Sequence, residues 1–380
     1  MRILHFIRSF AYDHGAYHYL RKLKEASVEY DIQHFFLAFE RNVEENLDES
    51  SLQIDILGEI DLEKYFYRKV NPDIIQFHDI FSYYILSKKE TWKKFYELAF
   101  QRVCIRTLHD YSSIVCPAYF IGGEKNGDCF KVLSEQCIGK CVSDELYQEY
   151  MRYINSLNNY KCLTYFSKDT EKRISQHINI HTRLYRMPPL IKEQNIEVQD
   201  KENIMVFAGR VIPQKGLDYL LCALAKMKCK DWKLYIIGRK YALFYRKLVV
   251  YARRNDLLQN IIFVDNISQE ELFEYYKKAK LMVFPSVSHE TYGMSGAEAV
   301  SFGIPVLAFQ IDGISEWLED GVNGKMVKLK DVDEFASEMD RILMDSEYYN
   351  LLREGAIQKS KMFSYEQQIQ SICSFYKSLL

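Results

Sequence analysis

Two glutamates, Glu290 and Glu298, lie eight positions apart in the stretch HETYGMSGAEAVSFGIPV (289–306). A carboxylate accepts hydrogen bonds from a pair of hydroxyls, such as those of a ribose, and it repels phosphate. Glu298 is therefore a candidate to hold a ribose, and Glu290 a second set of hydroxyls. Two glutamates at this spacing also occur on the surface of an ordinary strand–helix unit. Taken alone, the pair leaves both interpretations open.

The elements around the two glutamates favour an anion site. The apolar run LMVFPS (281–286) predicts a buried strand, and Gly293 permits a tight turn after it. A short helix is then expected from near Met294 and Ser295 to Phe302. The N–H groups at the start of a helix, reinforced by its dipole, attract anions. Ligands of open α/β sheets bind at the carboxyl ends of strands, where this turn would lie.

Two cations follow an earlier predicted strand, in the segment FAGRVIPQKGLDYLL (207–221). A diphosphate leaving group needs positive charge as it departs, and Arg210 and Lys215 can supply it without a metal. Acidic pairs often hold a divalent ion for the same task. The one Asp-x-Asp in the sequence is 331–333, and its first aspartate fits a helix cap better than a metal site. We therefore expect no metal and no other cofactor.

Four segments together resemble those of the family 4 glycosyltransferases. The resemblance is strong from about residue 204 to 328, and it continues more weakly through HDY (109–111) and the last helix. It implies the GT-B fold, an α/β architecture of two Rossmann-like doubly wound domains that face each other across a cleft. It also implies retaining, metal-independent transfer of a sugar from a nucleotide-diphospho-sugar to an acceptor hydroxyl. The four segments are GR-x4-KG (209–216), E-x7-E (290–298), FGIPV (302–306) and DGISEWLEDGVNG (312–324).

The resemblance assigns roles to individual residues of the second half. Arg210 and Lys215, in the segment that begins at Gly209, match the pair that contacts the donor diphosphate. Glu298 matches the glutamate that holds the ribose hydroxyls, and Glu290 the one near the donor sugar and the reacting centre. The phosphate-binding turn is matched by the backbone of Gly293, Met294 and Ser295.

In the first half, the resemblance gives His109 the role of the histidine that faces the donor sugar. A lone histidine at a strand end is often only structural, so its catalytic role depends on the resemblance. The family often has a Gly-Gly pair in the loop after the first strand, near the acceptor, whereas this chain has Gly15 alone. Asp265 stands where glycine is frequent, near the expected nucleobase pocket. The acceptor and the base therefore stay open, with Gly15 as the candidate acceptor-binding residue.

The chain alternates apolar β-rich runs with helical patterns, as expected of doubly wound α/β sheets. We expect an acceptor-binding domain over 1–188, a linker over 189–203, a nucleotide-sugar-binding domain over 204–362, and a helix over 363–380 that packs back on the first domain. The polar tract after Pro188-Pro189 marks the boundary. Candidate strands are 2–7, 73–78, 103–108, 204–209, 233–238, 260–265, 281–286 and 305–310.

Composition restricts the partners. A net charge of −2 gives no support to nucleic-acid binding, and no apolar run approaches the length that spans a bilayer. We expect a cytoplasmic protein that binds a nucleotide-diphospho-sugar donor and a glycan or lipid-linked saccharide acceptor. The basic and aromatic stretch SKKETWKKFYELAFQR (87–102) is either a solvated helix face or a peripheral contact with the inner face of a membrane.

Four of the nine cysteines fall in one segment with the spacing C-x12-C-x7-C-x3-C: Cys116, Cys129, Cys137 and Cys141. The last pair suits a zinc knuckle, and the first two are widely spaced for one. Both a structural zinc site and free thiols stay open.

Two other functions also fit the sequence: a nucleotide-sugar epimerase of the same fold, and a non-catalytic scaffold that binds sugar nucleotides. A scaffold has no chemical need for the two glutamates and two cations together. A coenzyme-dependent dehydrogenase is disfavoured, because no G-x-G-x-x-G follows a predicted strand.

Overall fold

The computed structural model describes most of the chain as two compact units. Unit 1 comprises Met1–Pro189 together with Gln367–Leu380, and unit 2 comprises Leu190–Glu366. The cysteine segment that contains Cys116, Cys129, Cys137 and Cys141 lies outside the described residues. The described residues are 1–7, 15–39, 53–78, 90–111, 138, 142–177, 179–196, 201–265 and 267–380.

Unit 1 contains a parallel sheet with the strand order β3-β2-β1-β4-β5-β6-β7 in its described part. Its strands are β1 (Arg2–Ile7), β2 (Gln33–Ala38), β3 (Ile54–Ile56), β4 (Ile74–His78), β5 (Val103–Thr107), β6 (Cys162–Tyr165) and β7 (Arg183–Arg186). Its longer helices are α1 (Gly15–Ala26), α2 (Glu90–Ala99), α3 (Asp144–Ser156) and α4 (Lys168–His177), and the final helix of the chain, Tyr365–Lys377, also belongs mainly to this unit.

The two faces of the unit 1 sheet differ in character. One face is apolar, with Leu4, Phe6 and Phe77 in the core cluster that α2 and α3 cover. Because successive side chains of a strand point to opposite faces, His5 and Gln76 lie on the other face. Both are fully buried, so this second face must satisfy its polar groups internally.

The aromatic side chains of α2 belong to the core. Trp92 and Phe95 are buried in the unit 1 cluster, whereas Lys93 and Lys94 are exposed. This arrangement agrees with a solvated helix face, because the apolar side of the helix is already covered by the protein. In the part of the chain that the structure describes, no helix is long and apolar enough to cross a membrane.

Unit 2 repeats the architecture with the strand order β10-β9-β8-β11-β12-β13, again parallel. Strand order reverses between β8 and β11, which is the place where open α/β sheets bind ligands. The strands are β8 (Ile204–Ala208), β9 (Lys233–Ile237), β10 (Ile261–Val264), β11 (Leu281–Phe284), β12 (Val306–Phe309) and β13 (Gly324–Val327). The helices are α5 (Leu217–Lys226), α6 (Ala242–Arg254), α7 (Gln269–Lys278), α8 (Met294–Ser301), α9 (Val332–Met344) and α10 (Ser346–Ser360), and α11 (Tyr365–Lys377) completes the chain.

The helix ends of unit 2 follow from local sequence. Ser268 and Glu271 form a capping box at the start of α7. Asp331 caps α9 by accepting a hydrogen bond from the Glu334 N–H at 3.0 Å, which confirms the expected helix cap. At the end of α8, Gly303 has a φ of 68° and the Ile304 N–H bonds the Ala299 carbonyl, as in a Schellman motif.

The eight strands expected from the sequence are all present, each within two residues of its predicted bounds. Strands β2, β3, β6, β7 and β13 are additional. The helix predicted over 363–380 is observed as α11, and its residues from Gln367 onward belong to unit 1.

Helix α11 is joined to the polar face of the unit 1 sheet by a buried chain of hydrogen bonds. The Tyr376 hydroxyl donates to Gln76 Oε1 at 2.6 Å, and Gln76 Nε2 donates to Thr107 Oγ1 at 2.6 Å. Thr107 Oγ1 in turn lies 2.8 Å from Thr164 Oγ1. Burial raises the pKa of Tyr376, so it keeps its proton for this bond.

We predict that Tyr376→Phe lowers the stability of the protein by about 1–3 kcal/mol, because it leaves the buried Gln76 oxygen without a donor. Tyr67→Phe is the matched control. The Tyr67 hydroxyl bonds Gln101 at an exposed position, where water can replace it, so a loss below about 0.5 kcal/mol is expected. Urea unfolding of both variants measures the difference. Equal losses would show that the buried chain adds nothing.

Candidate functional site

The candidate site of unit 2 lies where the strand order reverses. Gly209 and Arg210 follow the carboxyl end of β8, and Pro285 and Ser286 follow that of β11. These two strands are neighbours in the sheet, so their following loops lie side by side. The structure therefore brings together two segments about 75 positions apart in sequence, the one with Lys215 and the one with Glu290.

Backbone contacts hold the two loops against each other. The N–H groups of Val287 and Ser288 donate to the Gln214 carbonyl at 3.1 and 3.3 Å. Gly216 has a φ of 66°, and a Cβ at this position would lie 1.9 Å from the Pro285 carbonyl oxygen. Only glycine fits both the conformation and the space. The glycine of the GR-x4-KG segment thus sets the position of the lysine before it.

Lys215 and Glu290 form an ion pair at this junction. The Lys215 Nζ lies 2.5 Å from Glu290 Oε1, and both side chains are about a fifth exposed. The Ser286 hydroxyl donates to the same oxygen at 2.9 Å. An ammonium group carries three donors, so Lys215 can hold Glu290 and still donate to a phosphate oxygen. The second oxygen of Glu290, Oε2, is the one suited to accept from a substrate hydroxyl.

A third loop, which follows β12, supports Glu290 from its backbone. The Glu290 N–H donates to the Asp312 carbonyl at 3.3 Å, and the Asp312 N–H donates to His289 Nδ1 at 3.0 Å. His289 Nδ1 also lies 3.4 Å from Asp312 Oδ2. These contacts tie His289, the residue before Glu290, to the loop after β12.

The turn at Gly293 packs on a buried tryptophan. Gly293 has a φ of 75° and is the N-cap of α8, one residue before Met294 and Ser295. The Trp317 indole N–H donates to the Tyr292 carbonyl at 2.6 Å. A Cβ on Gly296 would lie 2.2 Å from the Trp317 ring, so the first turn of α8 sits directly on that ring.

Glu298 lies inside α8 and is 9% exposed. Its Oε1 accepts a hydrogen bond from Gln269 Nε2 at 2.8 Å, which ties α8 to the start of α7. Beside it, the Tyr276 hydroxyl donates to the Ser295 carbonyl at 3.2 Å. Burial and the Glu298 carboxylate raise the pKa of Tyr276, so this hydroxyl acts as a donor at all ordinary pH values.

The backbone of Gly209 lies against the loop after β9. A Cβ on Gly238 would be 2.3 Å from the Gly209 carbonyl oxygen, and the Arg210 loop continues from this contact. Asp265, near the expected nucleobase pocket, has its carboxylate 3.3 Å from the Lys240 ammonium.

The two site residues that the sequence predicts in unit 1, Gly15 and His109, lie in different elements. Gly15 is the exposed first residue of α1, and a Cβ there would meet nothing within 4 Å. His109 follows the carboxyl end of β5. No spacing in the sequence indicates that His109 belongs to a larger cluster, but the structure places it at the end of a chain of four histidines.

The four rings are joined by hydrogen bonds between ring nitrogens. His34 Nδ1 lies 2.7 Å from His5 Nε2, and His5 Nδ1 lies 3.0 Å from His78 Nε2. His78 Nδ1 then lies 2.7 Å from His109 Nε2. The chain crosses the polar face of the sheet from β2 through β1 and β4 to the end of β5.

Burial keeps these histidines neutral. It lowers the pKa of His34 and of His109 to about 3, and Lys24 adds to the effect at His34. Burial is also the main reason that the pKa values of His5 and His78 lie well below the ordinary value. Positive charge on neighbouring histidines, and on Arg106 at His78, lowers them further. Among the residues that the structure describes, no three His, Cys, Asp or Glu side chains converge as metal ligands do.

We predict that Glu290 keeps its position only if residue 313 has no side chain. A Cβ on Gly313 would lie 1.9 Å from the Glu290 carbonyl oxygen, so Gly313→Ala must displace this loop. Gly321→Ala is the matched control: its φ of 74° is close to the 86° of Gly313, but nothing lies within 4 Å. Gly321→Ala should cost about 1–2 kcal/mol from backbone conformation alone. Gly313→Ala should lower the unfolding midpoint clearly further, and equal midpoints would refute the contact.

We also predict that acid destabilises the protein through the histidine chain. The unfolded chain binds a proton at each histidine below about pH 6.5, whereas the folded His34 and His109 bind none until about pH 3. Each of these two histidines therefore lowers the free energy of unfolding by about 1.4 kcal/mol for every pH unit below 6.5, and has no such effect above it. Urea unfolding from pH 7.5 to 5.5 should show a shallower decline in His34→Phe than in the wild type. Identical declines would contradict the prediction.

Most of unit 2 is similar in sequence to known glycosyltransferases. The family model described as Glycosyl transferases group 1 matches residues 191–359. An uncharacterized glycosyltransferase of Methanocaldococcus jannaschii is 32% identical over 174 residues, which cover 46% of this chain and 43% of that protein. The lipopolysaccharide 1,2-N-acetylglucosaminetransferase of Salmonella typhimurium is 28% identical over 180 residues, covering 45% of this chain and 46% of that protein. The chain matches about half the length of these curated relatives.

The likeness of fold extends to both units. The crystal structure of Anabaena Alr3699/HepE in complex with UDP and glucose matches with a TM-score of 0.75 and covers 100% of both chains at 16% identity. A likeness at that identity establishes the fold alone. The chain therefore has two parallel-sheet, Rossmann-like halves as in GT-B glycosyltransferases, and its residues 191–359 match the model of the glycosyl transferases group 1 family.

Proposed function

We propose that the protein is a glycosyltransferase that moves a sugar from a nucleotide-diphospho-sugar to an acceptor hydroxyl, with retention of anomeric configuration and without a metal. The observation that carries the proposal is the Lys215–Glu290 pair where the strand order of unit 2 reverses. It joins a cation suited to phosphate and a carboxylate suited to hydroxyls at the edge where this fold binds ligands.

Lys215 and Arg210 stabilise the diphosphate leaving group. When the bond from the anomeric carbon to the diphosphate breaks, negative charge grows on the departing oxygen. Lys215 and Arg210 follow β8 and stabilise this charge, together with the N–H groups at the start of α8. The Glu290 contact fixes the Lys215 ammonium within the site, so little reorganisation is needed when the diphosphate departs.

Glu290 holds the sugar. Its Oε1 is occupied by Lys215 and Ser286, and its Oε2 accepts from a sugar hydroxyl. Its backbone is supported by the Asp312 loop, which positions the carboxylate relative to the anomeric carbon. The acceptor oxygen bonds to that carbon on the face from which the diphosphate leaves, the bond from the anomeric carbon to the diphosphate oxygen breaks, and the acceptor proton passes to the departing diphosphate.

Glu298 binds the ribose of the donor. Gln269 occupies Oε1 and orients the carboxylate, so that the two ribose hydroxyls can be recognised by a preorganised acceptor. The base and the sugar stay open in this proposal. The presence of UDP in the matching Anabaena structure makes uridine diphosphate the first nucleotide to test.

The acceptor is proposed from the relatives. The Salmonella typhimurium relative is named for transfer within lipopolysaccharide, and another relative is a 41.2 kDa protein in the cps region of Klebsiella pneumoniae. We therefore propose a glycan or lipid-linked saccharide as acceptor, in the synthesis of a surface polysaccharide. Unit 1 would supply the acceptor-binding residues, with Gly15 as a candidate, and His109 would contact the transferred sugar.

Glu290→Gln tests the proposal. The amide keeps the size of the side chain but loses the charge that holds Lys215 and weakens acceptance from a sugar hydroxyl. We expect turnover to fall at least about 100-fold, or roughly 2.7 kcal/mol of barrier, while nucleoside diphosphate binding changes little. Glu347→Gln, on the exposed start of α10, is the matched control and should keep full turnover.

Two outcomes would contradict the proposal. Normal turnover in Glu290→Gln would remove this carboxylate from the chemistry. Conversion of the donor sugar into an epimer in the absence of any acceptor, by the wild-type protein, would replace glycosyl transfer with epimerisation.

A further inference from the structure

The hydrogen bonds of the four-histidine chain in unit 1 restrict which tautomers its members can adopt together. Each neutral imidazole carries one proton, on either Nδ1 or Nε2. Each of the three contacts, at 2.7, 3.0 and 2.7 Å, joins two ring nitrogens and needs one proton between them. Two bare nitrogens or two N–H groups at these distances would repel each other.

These conditions leave only two arrangements of protons. If His34 carries its proton on Nδ1, then His5, His78 and His109 must all carry theirs on Nδ1. If His34 carries it on Nε2, then the other three must all carry theirs on Nε2. The four rings therefore choose one tautomer together, and the fourth proton lies at one of the two ends of the chain, on His34 Nε2 or on His109 Nδ1.

The far end of the chain decides between the two arrangements. His34 Nε2 is buried and has no hydrogen-bond partner among the described residues. A buried N–H without an acceptor is rarer and more costly in proteins than an acceptor that lacks a donor. Around this ring lie the His5 ring, stacked at 5.0 Å, and the edge of the Tyr376 ring at 6.3 Å. His34 Nε2 is thus better left bare, which requires the Nδ1–H form in all four rings.

We infer that His34, His5 and His78 are positioning residues that hold His109 in the Nδ1–H tautomer and keep its Nε2 as the acceptor from His78. His109 then carries its proton on Nδ1. In the reaction of the proposed function, on which this step depends, Nδ1 of His109 holds this proton and Nε2 accepts from His78, so His109 does not act as a base toward the acceptor hydroxyl.

The chain also explains why His5 and His78 can be fully buried on one sheet face. Neutral rings that satisfy one another avoid the cost of a buried charge. The lowered pKa values of all four members agree with a chain that stays neutral near pH 7. The side-chain network of Gln76, Thr107 and Tyr376 on the same face fixes the sheet and helix around it.

Nitrogen NMR of the full-length protein, with ¹⁵N-labelled histidine, tests the inference near pH 7.5. The shifts of the two ring nitrogens distinguish the Nδ1–H, Nε2–H and doubly protonated forms. Free neutral histidine favours Nε2–H, so the expected result is unusual: at least four of the nine histidines in the Nδ1–H form. Fewer than four such signals would overturn the inference, even before any signal is assigned.

Substitution of one ring at a time assigns the signals and tests the coupling. In His78→Gln, a side chain that can either donate or accept replaces the ring next to His109, so the direction of the chain is no longer transmitted. We expect the His109 signal to move from the pure Nδ1–H form toward a mixture with Nε2–H. A His109 signal that stays pure Nδ1–H in a folded His78→Gln protein would show that the chain does not set its tautomer.

His181→Gln is the control, because His181 is exposed and lies outside the chain. It should remove one signal and leave the four Nδ1–H signals unmoved. None of these spectra requires catalysis. If transfer activity is absent but the four Nδ1–H signals are present, the proposed function fails and the tautomer assignment stands. If activity is present but the signals are of the Nε2–H form, the assignment fails alone.

Discussion

The candidate site of unit 2 depends on backbone packed directly against backbone at three glycines. Gly216 lies against the Pro285 carbonyl, Gly238 against the Gly209 carbonyl, and Gly313 against the Glu290 carbonyl. A Cβ at these positions would lie 1.9, 2.3 and 1.9 Å from the respective carbonyl oxygen, well inside the contact distance, so the two loops would have to move apart. These contacts join the loops after β8, β9, β11 and β12 into one edge, and the Lys215–Glu290 pair is the chemical consequence.

On the polar face of the unit 1 sheet, the side chains are joined by hydrogen bonds. Buried strands carry histidine, glutamine and threonine side chains there, and these satisfy one another in two series. One runs from Tyr376 through Gln76 to Thr107 and Thr164, and joins α11 to the sheet. The other is the histidine chain that ends at His109. Within each series, a change at one member leaves a neighbouring donor or acceptor without its partner, so the members are arranged together.

The sequence predicted the alternation of strands and helices well, because continuous apolar runs and caps are local signals. The cap at Asp331 and the end of α8 near Phe302 were also predicted for this reason. Strand β2 was not among the predicted strands: its first residues, Gln33 and His34, are polar, and they are explained only by their partners on β1.

The support of the site was less predictable than its charged residues. Lys215 and Glu290 were singled out by their motifs, but their contact joins residues 75 positions apart and follows from the order of the strands. Ser286, His289, Asp312 and Gln269 were missed, because each acts through a neighbour that only the folded chain supplies. His109 was read as a lone histidine for the same reason. Its partners come from three other strands, and no spacing in the sequence connects them.

The most direct test of the account is the thermal unfolding of the protein with UDP, GDP, ADP, TDP and CMP, each without added metal. A ligand at 100 times its dissociation constant stabilises the folded protein by about 2.7 kcal/mol, which is visible as a raised melting temperature. We predict a shift with one nucleoside diphosphate, which would also identify the base of the donor. No shift with any of them at millimolar concentration would contradict the claim that the Lys215, Arg210 and Glu298 region binds a nucleotide-sugar.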